Sequence, residues 1–212
     1  MIGTQSEVQR RGRLEGVAWQ SLQLLFANLL LVVCAKIAIP LPGTPVPLTL
    51  QTFGVLLIAV LFGGRISALA AALYLVEGAA GLPVFQPFGA PGGLRLFGPS
   101  AGYLLAFPAA AFVTGRLVEL LVPGGSKSQR AAAQDVHPAQ SVASRRGVSV
   151  WLAIASALAC GEGIILLSGW AWLASLVGAA PALAQGVLPF LAGDFVKLAA
   201  VATIARYVRV RL

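Results

Sequence analysis

Charge is scarce in this chain: only 10% of its 212 residues are Asp, Glu, Lys or Arg, against roughly 25% in a soluble domain. Hydrophobic residues make up 58%, and the mean hydropathy is +0.87. No soluble interior hides that much apolar surface, so a water-soluble fold is excluded and lipid is the expected solvent for most side chains. Histidine is nearly absent; His137 stands alone in a polar stretch. The two cysteines, Cys34 and Cys160, lie inside apolar runs, which excludes a disulfide framework and a thiolate metal site. Enzyme signatures are missing as well. There is no Gly-x-Ser-x-Gly elbow, no His-Glu-x-x-His helix and no Gly-x-x-x-x-Gly-Lys phosphate loop, so neither catalysis nor ATP hydrolysis is expected, and no metal or cofactor.

What the chain does have is long apolar runs. Six candidate spans read at about 17–39, 47–63, 66–82, 101–122, 148–168 and 185–205, each near the ~20 residues a bilayer requires. The first run follows basic residues as a signal peptide does, but it is long and carries no convincing cleavage site, so it reads as a retained helix. A stretch from 123 to 147, rich in Gly, Ser, Gln and charge, reads as a loop.

The net charge of +8 raises the question of nucleic acid, and its distribution answers it. Arg10, Arg11, Arg13, Arg65, Arg116, Lys127, Arg130, Arg145, Arg146, Arg206, Arg209 and Arg211 all fall on one side when the spans are numbered. Lys36 and Arg95 lie on the other side, and Lys197 falls inside the sixth span. Such asymmetry is topology information, and no aromatic-studded basic stripe for stacking bases accompanies it. The expectation is an all-α cell-membrane protein with six transmembrane helices and both termini cytoplasmic. Residues 1–16 form an N-terminal tail, 17–208 one membrane domain and 209–212 a C-terminal tail. Trp19 and Trp151 near inner ends, with Trp170 and Trp172 near an outer end, fit aromatic belts. The uncharged 170–184 stretch reads as an interfacial helix or part of a lid.

An ionisable side chain inside a span costs several kcal/mol unless paired or wetted, which singles out Lys36, Glu77, Glu162, Asp194 and Lys197. Asp194 and Lys197 are spaced to share one helix face, where they either neutralise each other or meet one ligand together. Glu77 and Glu162 read as sitting near span ends or packing against polar groups, and Lys36 as snorkelling to the outer interface. Outside the spans, Ile39–Pro47 carries four prolines in nine residues and cannot be helical. The next outer loop, Gly81 to Pro99, carries Phe85, Phe88 and Arg95; an outward arginine at a pocket mouth suits an anionic ligand.

The strings IPLPGTPVPLTLQTFGVLL (39–57), LYLVEGAAGLPVF (73–85), LFGPSAGYLLAF (96–107) and GVLPFLAGDFVKLAA (186–200) together resemble the BioY family, the biotin-specific S components of energy-coupling factor (ECF) transporters. The resemblance implies a six-helix protein that takes biotin from outside, working with a transmembrane coupling protein and two cytoplasmic ATPases. It places Asp194 and Lys197 in the family's Gly-Asp-x-x-Lys motif. There a carboxylate accepts from the ureido N–H groups, and an ammonium meets the ureido oxygen or the valerate carboxylate. It also implies ligand contact from Gln86, where family members commonly carry a small residue or Asn. Thr44, Thr49 and Gln51 would form an outer lid, and Phe85 and Tyr103 would pack the fused rings. One departure stands out: the first helix reads Phe26-Ala27-Asn28-Leu29-Leu30-Leu31, without the small-xxx-small face commonly offered to the coupling protein. An S component for another vitamin, an autonomous biotin carrier without dedicated ATPases, and a membrane protein of another class in which the buried pair is purely structural stay open at this stage.

Overall fold

The computed structural model describes residues 3–122 and 140–211, with side chains over 14–122 and 150–208. Its elements are α1 (Gly3–Lys36), a two-stranded hairpin β1 (Ala38–Ile39) and β2 (Leu48–Thr49), α2 (Gln51–Ala79), a 3-10 turn (Gly92–Phe97), α3 (Ala101–Leu121), α4 (Gln140–Val177), α5 (Ala179–Gly186) and α6 (Leu188–Arg211). Among the described residues, five helices are long and apolar enough to cross a membrane: Leu14–Lys36, Gln51–Ala79, Ala101–Leu121, Val150–Val177 and Leu188–Val208.

Helix α1 shows why lipid suits these residues. Ala27, Leu31, Cys34 and Ala35 recur at helical spacing and pack inward, while Leu22, Leu25, Phe26, Leu29 and Val33 project outward, equally apolar. Only a bilayer stabilises a helix that is greasy on both faces. On α6 the same division puts Phe195 and Val196 outward and Asp194 inward.

Helix α2 is not one rod. Gly63 sits at φ +78°, in the region open to glycine, and breaks the helix there. Ser67 Oγ donates to the Ile58 carbonyl at 2.7 Å and Gln51 Nε2 to the Tyr74 hydroxyl at 2.7 Å. In a straight helix those pairs would stand about 13 and 35 Å apart, at ~1.5 Å per residue. The chain therefore reverses at Gly63, at the end of the expected 47–63 span and just before the expected 66–82 span, and α2 is a pair of antiparallel arms. Glu119 of α3 secures the turn, its Oε1 accepting from the Gly64 amide at 2.9 Å. Gly115 lets α3 approach that turn, since a Cβ there would overlap the Gly64 backbone.

The proline-rich segment is non-helical as expected: β1 and β2 pair antiparallel, Ala38 opposite Thr49 and Ile39 opposite Leu48, and the prolines fill the loop between them. Three expectations need correction. The 170–177 stretch is not a separate lid but the continuation of α4, tied down where Trp172 Nε1 donates to the Gly98 carbonyl at 2.9 Å. Residues 179–186 alone form a short helix, α5, after a break at Gly178 (φ +90°). Of the expected 123–147 loop, 140–147 already belong to α4, and 123–139, with Lys127, Arg130 and His137, lie outside the described residues. Lys36 does not simply reach for the interface: its ammonium donates to the carbonyls of Pro83 and Phe85 and ties the end of α1 to the outer loop.

Among the described residues, two apolar clusters fill the interior. One gathers Tyr74, Phe85, Tyr103, Phe107, Ile165, Leu173 and Phe190; the other gathers Leu56, Val60, Val118, Ile154, Leu158, Val201 and Ala205. Asp194 and Lys197 lie on α6 between Phe190 of the first and Val201 of the second, which places them at the floor of whatever opens above.

Candidate ligand-binding site

A cavity opens above that pair, enclosing about 460 Å³ of non-atom space with its open mouth included. Its walls come from four directions: Val46, Pro47 and Thr49 of the hairpin, Gln51 and Thr52 at the start of α2, Ser100, Tyr103 and Phe107 at the start of α3, and Ile165, Phe190, Asp194 and Lys197 from α4 and α6. The stiff hairpin is what delivers the first of these, since its prolines cannot retreat into helix.

At the floor, Lys197 Nζ donates to Asp194 Oδ1 at 2.8 Å and to Thr52 Oγ1 at 3.2 Å, while the Thr52 hydroxyl also faces Asp194 Oδ1 at 3.4 Å. The two charged side chains are only 5% and 12% exposed. A buried pair of this kind is stable only with further hydrogen bonds, and Thr52 supplies them. Thr52 was not singled out by sequence reasoning. The only signal was its place beside Gln51 at a helix start; its link to α6 spans 142 positions.

Gln86 and Ser100 line this cavity and also a second, outer void, which is further bounded by Pro40, Thr44, Phe88, Arg95 and Pro99. Arg95 is buried at 5% exposure, and Nη1 donates to the Phe88 carbonyl. Burial lowers its pKa from the ordinary arginine value, yet a guanidinium stays charged at any physiological pH. Its Nε has no partner among the described residues, leaving a donor to spare. Thr44 is turned partly on itself, its Oγ1 accepting from the Val46 amide at 3.1 Å.

Tyr103 and Gln51 each spend a polar group on the scaffold: the Tyr103 hydroxyl donates to the Gly186 carbonyl at 2.6 Å, and Gln51 holds the Tyr74 hydroxyl. Phe85 lines neither void. Its ring packs edge-on to Tyr74, centroids 5.2 Å apart, below the outer loop. Of the nine residues singled out, then, Asp194, Lys197, Gln86, Tyr103, Thr49 and Gln51 share the inner cavity, Arg95 and Thr44 the outer void, and Phe85 the core beside them.

Glu77 packs near the end of α2 against a polar group, accepting from Asn28 Nδ2 at 3.1 Å. Glu162 does not sit near a span end. It is 5% exposed in the middle of the Val150–Val177 span, and its Oε1 has no hydrogen-bond partner among the described residues.

Long helices with apolar outward faces place the chain in the class of multi-pass membrane proteins. The BioY family model matches residues 13–212, and the chain belongs to that family. It is 35% identical over 162 residues to a probable biotin transporter BioY of Pyrococcus horikoshii, covering 76% of this chain and 79% of the relative. It is 34% identical over 191 residues to a biotin transporter BioY of Rhizobium etli, covering 89% and 91%. The fold matches a crystal structure of the S-component for biotin from an ECF-type ABC transporter, with a TM-score of 0.67 at 22% identity over 94% of this chain and 93% of that one.

Proposed function

We propose that this protein captures biotin at the outer face of the cell membrane as the S component of an ECF-type transporter. The observation that carries the reading is the buried Asp194–Lys197 pair, braced by Thr52 and presented at the floor of a cavity whose walls mix apolar and aromatic side chains with the polar Thr49, Gln51, Gln86 and Ser100. A ureido group matches that floor: its N–H groups donate to the carboxylate and its oxygen accepts from the ammonium. Apolar ring atoms pack against Tyr103, Phe107 and Phe190. Arg95 at the outer void draws the valerate carboxylate, with Gln86 bridging the two spaces and Thr44, Thr49 and Gln51 closing over them. Phe85 acts indirectly, holding the loop that carries Gln86.

In this reading the two arms of α2 count as separate passes, so six passes bring both termini to the cytoplasmic side, where the basic residues concentrate. The membrane-embedded partner is an ECF coupling protein with its ATPases, since the chain itself carries no phosphate-binding loop.

Equilibrium binding of biotin to the purified chain, with D194A and K197A alongside, tests the reading. Tight binding lost in both variants supports it. A folded wild type that ignores biotin sinks it, and binding untouched by both changes reduces the pair to a structural ion pair.

A further inference from the structure

One outer loop is held by cationic side chains where a ladder would ordinarily hold it. Among the described residues, 85–90 make no backbone–backbone hydrogen bond, and the last one before them runs from the Val84 amide to the Leu82 carbonyl at 2.8 Å. Carbonyls without a ladder take other donors. Arg95 Nη1 donates to the Phe88 carbonyl, and Lys36 Nζ donates to those of Pro83 and, at 2.9 Å, Phe85. Such bonds from a charged donor are stronger than neutral ones.

Gln86 stands between these anchors. It is 5% exposed and lines both the inner cavity and the outer void. Its amide makes no hydrogen bond among the described residues, so its aim depends on the backbone that carries it. The Phe85 ring fixes where that backbone lies, seated so close to α2 that a Cβ on Gly78 would overlap it. The orientation is set elsewhere. The Phe85 carbonyl and the Gln86 amide belong to one planar peptide unit, so the ammonium of Lys36 orients the plane from which Gln86 departs.

Lys36 is also the last residue of α1, next to the root of the hairpin, where the Leu50 amide donates to the Ile37 carbonyl at 3.0 Å. The hairpin supplies Pro40 and Thr44 to the outer void, and the loop supplies Gln86, Phe88 and Gly89. One ammonium therefore joins the root of one wall to the start of the other. We propose that Lys36 is a positioning residue: it latches the outer loop to the hairpin root, keeps Gln86 turned into the ligand's space and so slows ligand release. This role rests on the biotin-capture reading above, in which Gln86 meets the ligand.

Lys36 is exposed, so K36M, which keeps most of the apolar stem and loses the charge, leaves no buried hole. A spin label at the exposed Ala90, in the full chain with C34A and C160A, reads the latch without ligand. The label is expected to be restrained with Lys36 or K36R and to gain a mobile component with K36M. An unchanged label in K36M overturns the proposal whatever biotin does.

Biotin binding then reads the consequence. K36M is expected to weaken it about tenfold, chiefly through faster release, and K36R to stay within about threefold of wild type. In a Q86A background the same K36M change is expected to cost less than about twofold, because the side chain that the latch aims is already gone. An equal cost in both backgrounds overturns the proposal, since Lys36 then supports the fold at large. A loss confined to association and erased by salt also overturns it, making Lys36 an attractor of anions. If K36M frees the label but the wild type does not bind biotin, the latch stands and the ligand reading falls.

Discussion

Two ion pairs in this protein have the same sequence spacing and the same length. Arg116 and Glu119 on α3 meet at 2.8 Å, and so do Lys197 and Asp194 on α6, each three residues apart. Their surroundings differ: the first pair is 45% and 33% exposed at the turn end of the bundle, the second 12% and 5% between two apolar clusters. Screening and side-chain entropy leave an exposed pair with about 0–1 kcal/mol, and the chief task of Glu119 is to accept the Gly64 amide. In the interior the same pair is expensive to maintain and expensive to break. Geometry alone thus does not separate a structural staple from a ligand floor; environment does.

The sharpest way to break the comparison is D194A or K197A. Either is expected to weaken biotin binding by more than about a hundredfold, because the remaining charge is left buried without its partner, an effect on the order of 3 kcal/mol. Binding unchanged in both would erase the distinction between the two pairs. Next comes R95A, expected to reduce affinity about tenfold at the outer void. A biotin derivative with a neutral amide in place of the carboxylate sharpens this: it should bind wild type and R95A alike, and a persistent difference would remove the carboxylate contact.

Smaller effects belong to the exposed pair. E119A removes the acceptor of the Gly64 amide at the reversal of α2 and is expected to lower stability by about 1 kcal/mol, read as thermal unfolding in detergent, with biotin affinity intact. R116A, which loses only the screened pair, is expected to change stability by less than about 0.5 kcal/mol. A larger loss in R116A than in E119A would show that the ion pair, not the turn, matters there.

Much of this was legible in the residues. The four prolines of 39–47 excluded helix, and that stretch became the loop of a hairpin. The helices α1, α3 and α6 lie where apolar runs predicted them, because a bilayer leaves a chain few choices other than helix. The shared face of Asp194 and Lys197 follows from helical spacing alone. The end of α4 was misjudged. An uncharged run at an interface reads the same whether it continues a helix or lies flat, and the Trp172 bond to Gly98, 74 positions away, decides it.

By itself, then, the sequence determined a helical membrane protein with a charged pair on its last helix, since composition and periodicity are local properties that lipid enforces directly. Only tertiary structure decided which hydroxyl braces that pair. Thr52 comes from α2 and the pair from α6, more than 140 positions away, and no local pattern records a contact made by packing one helix against another.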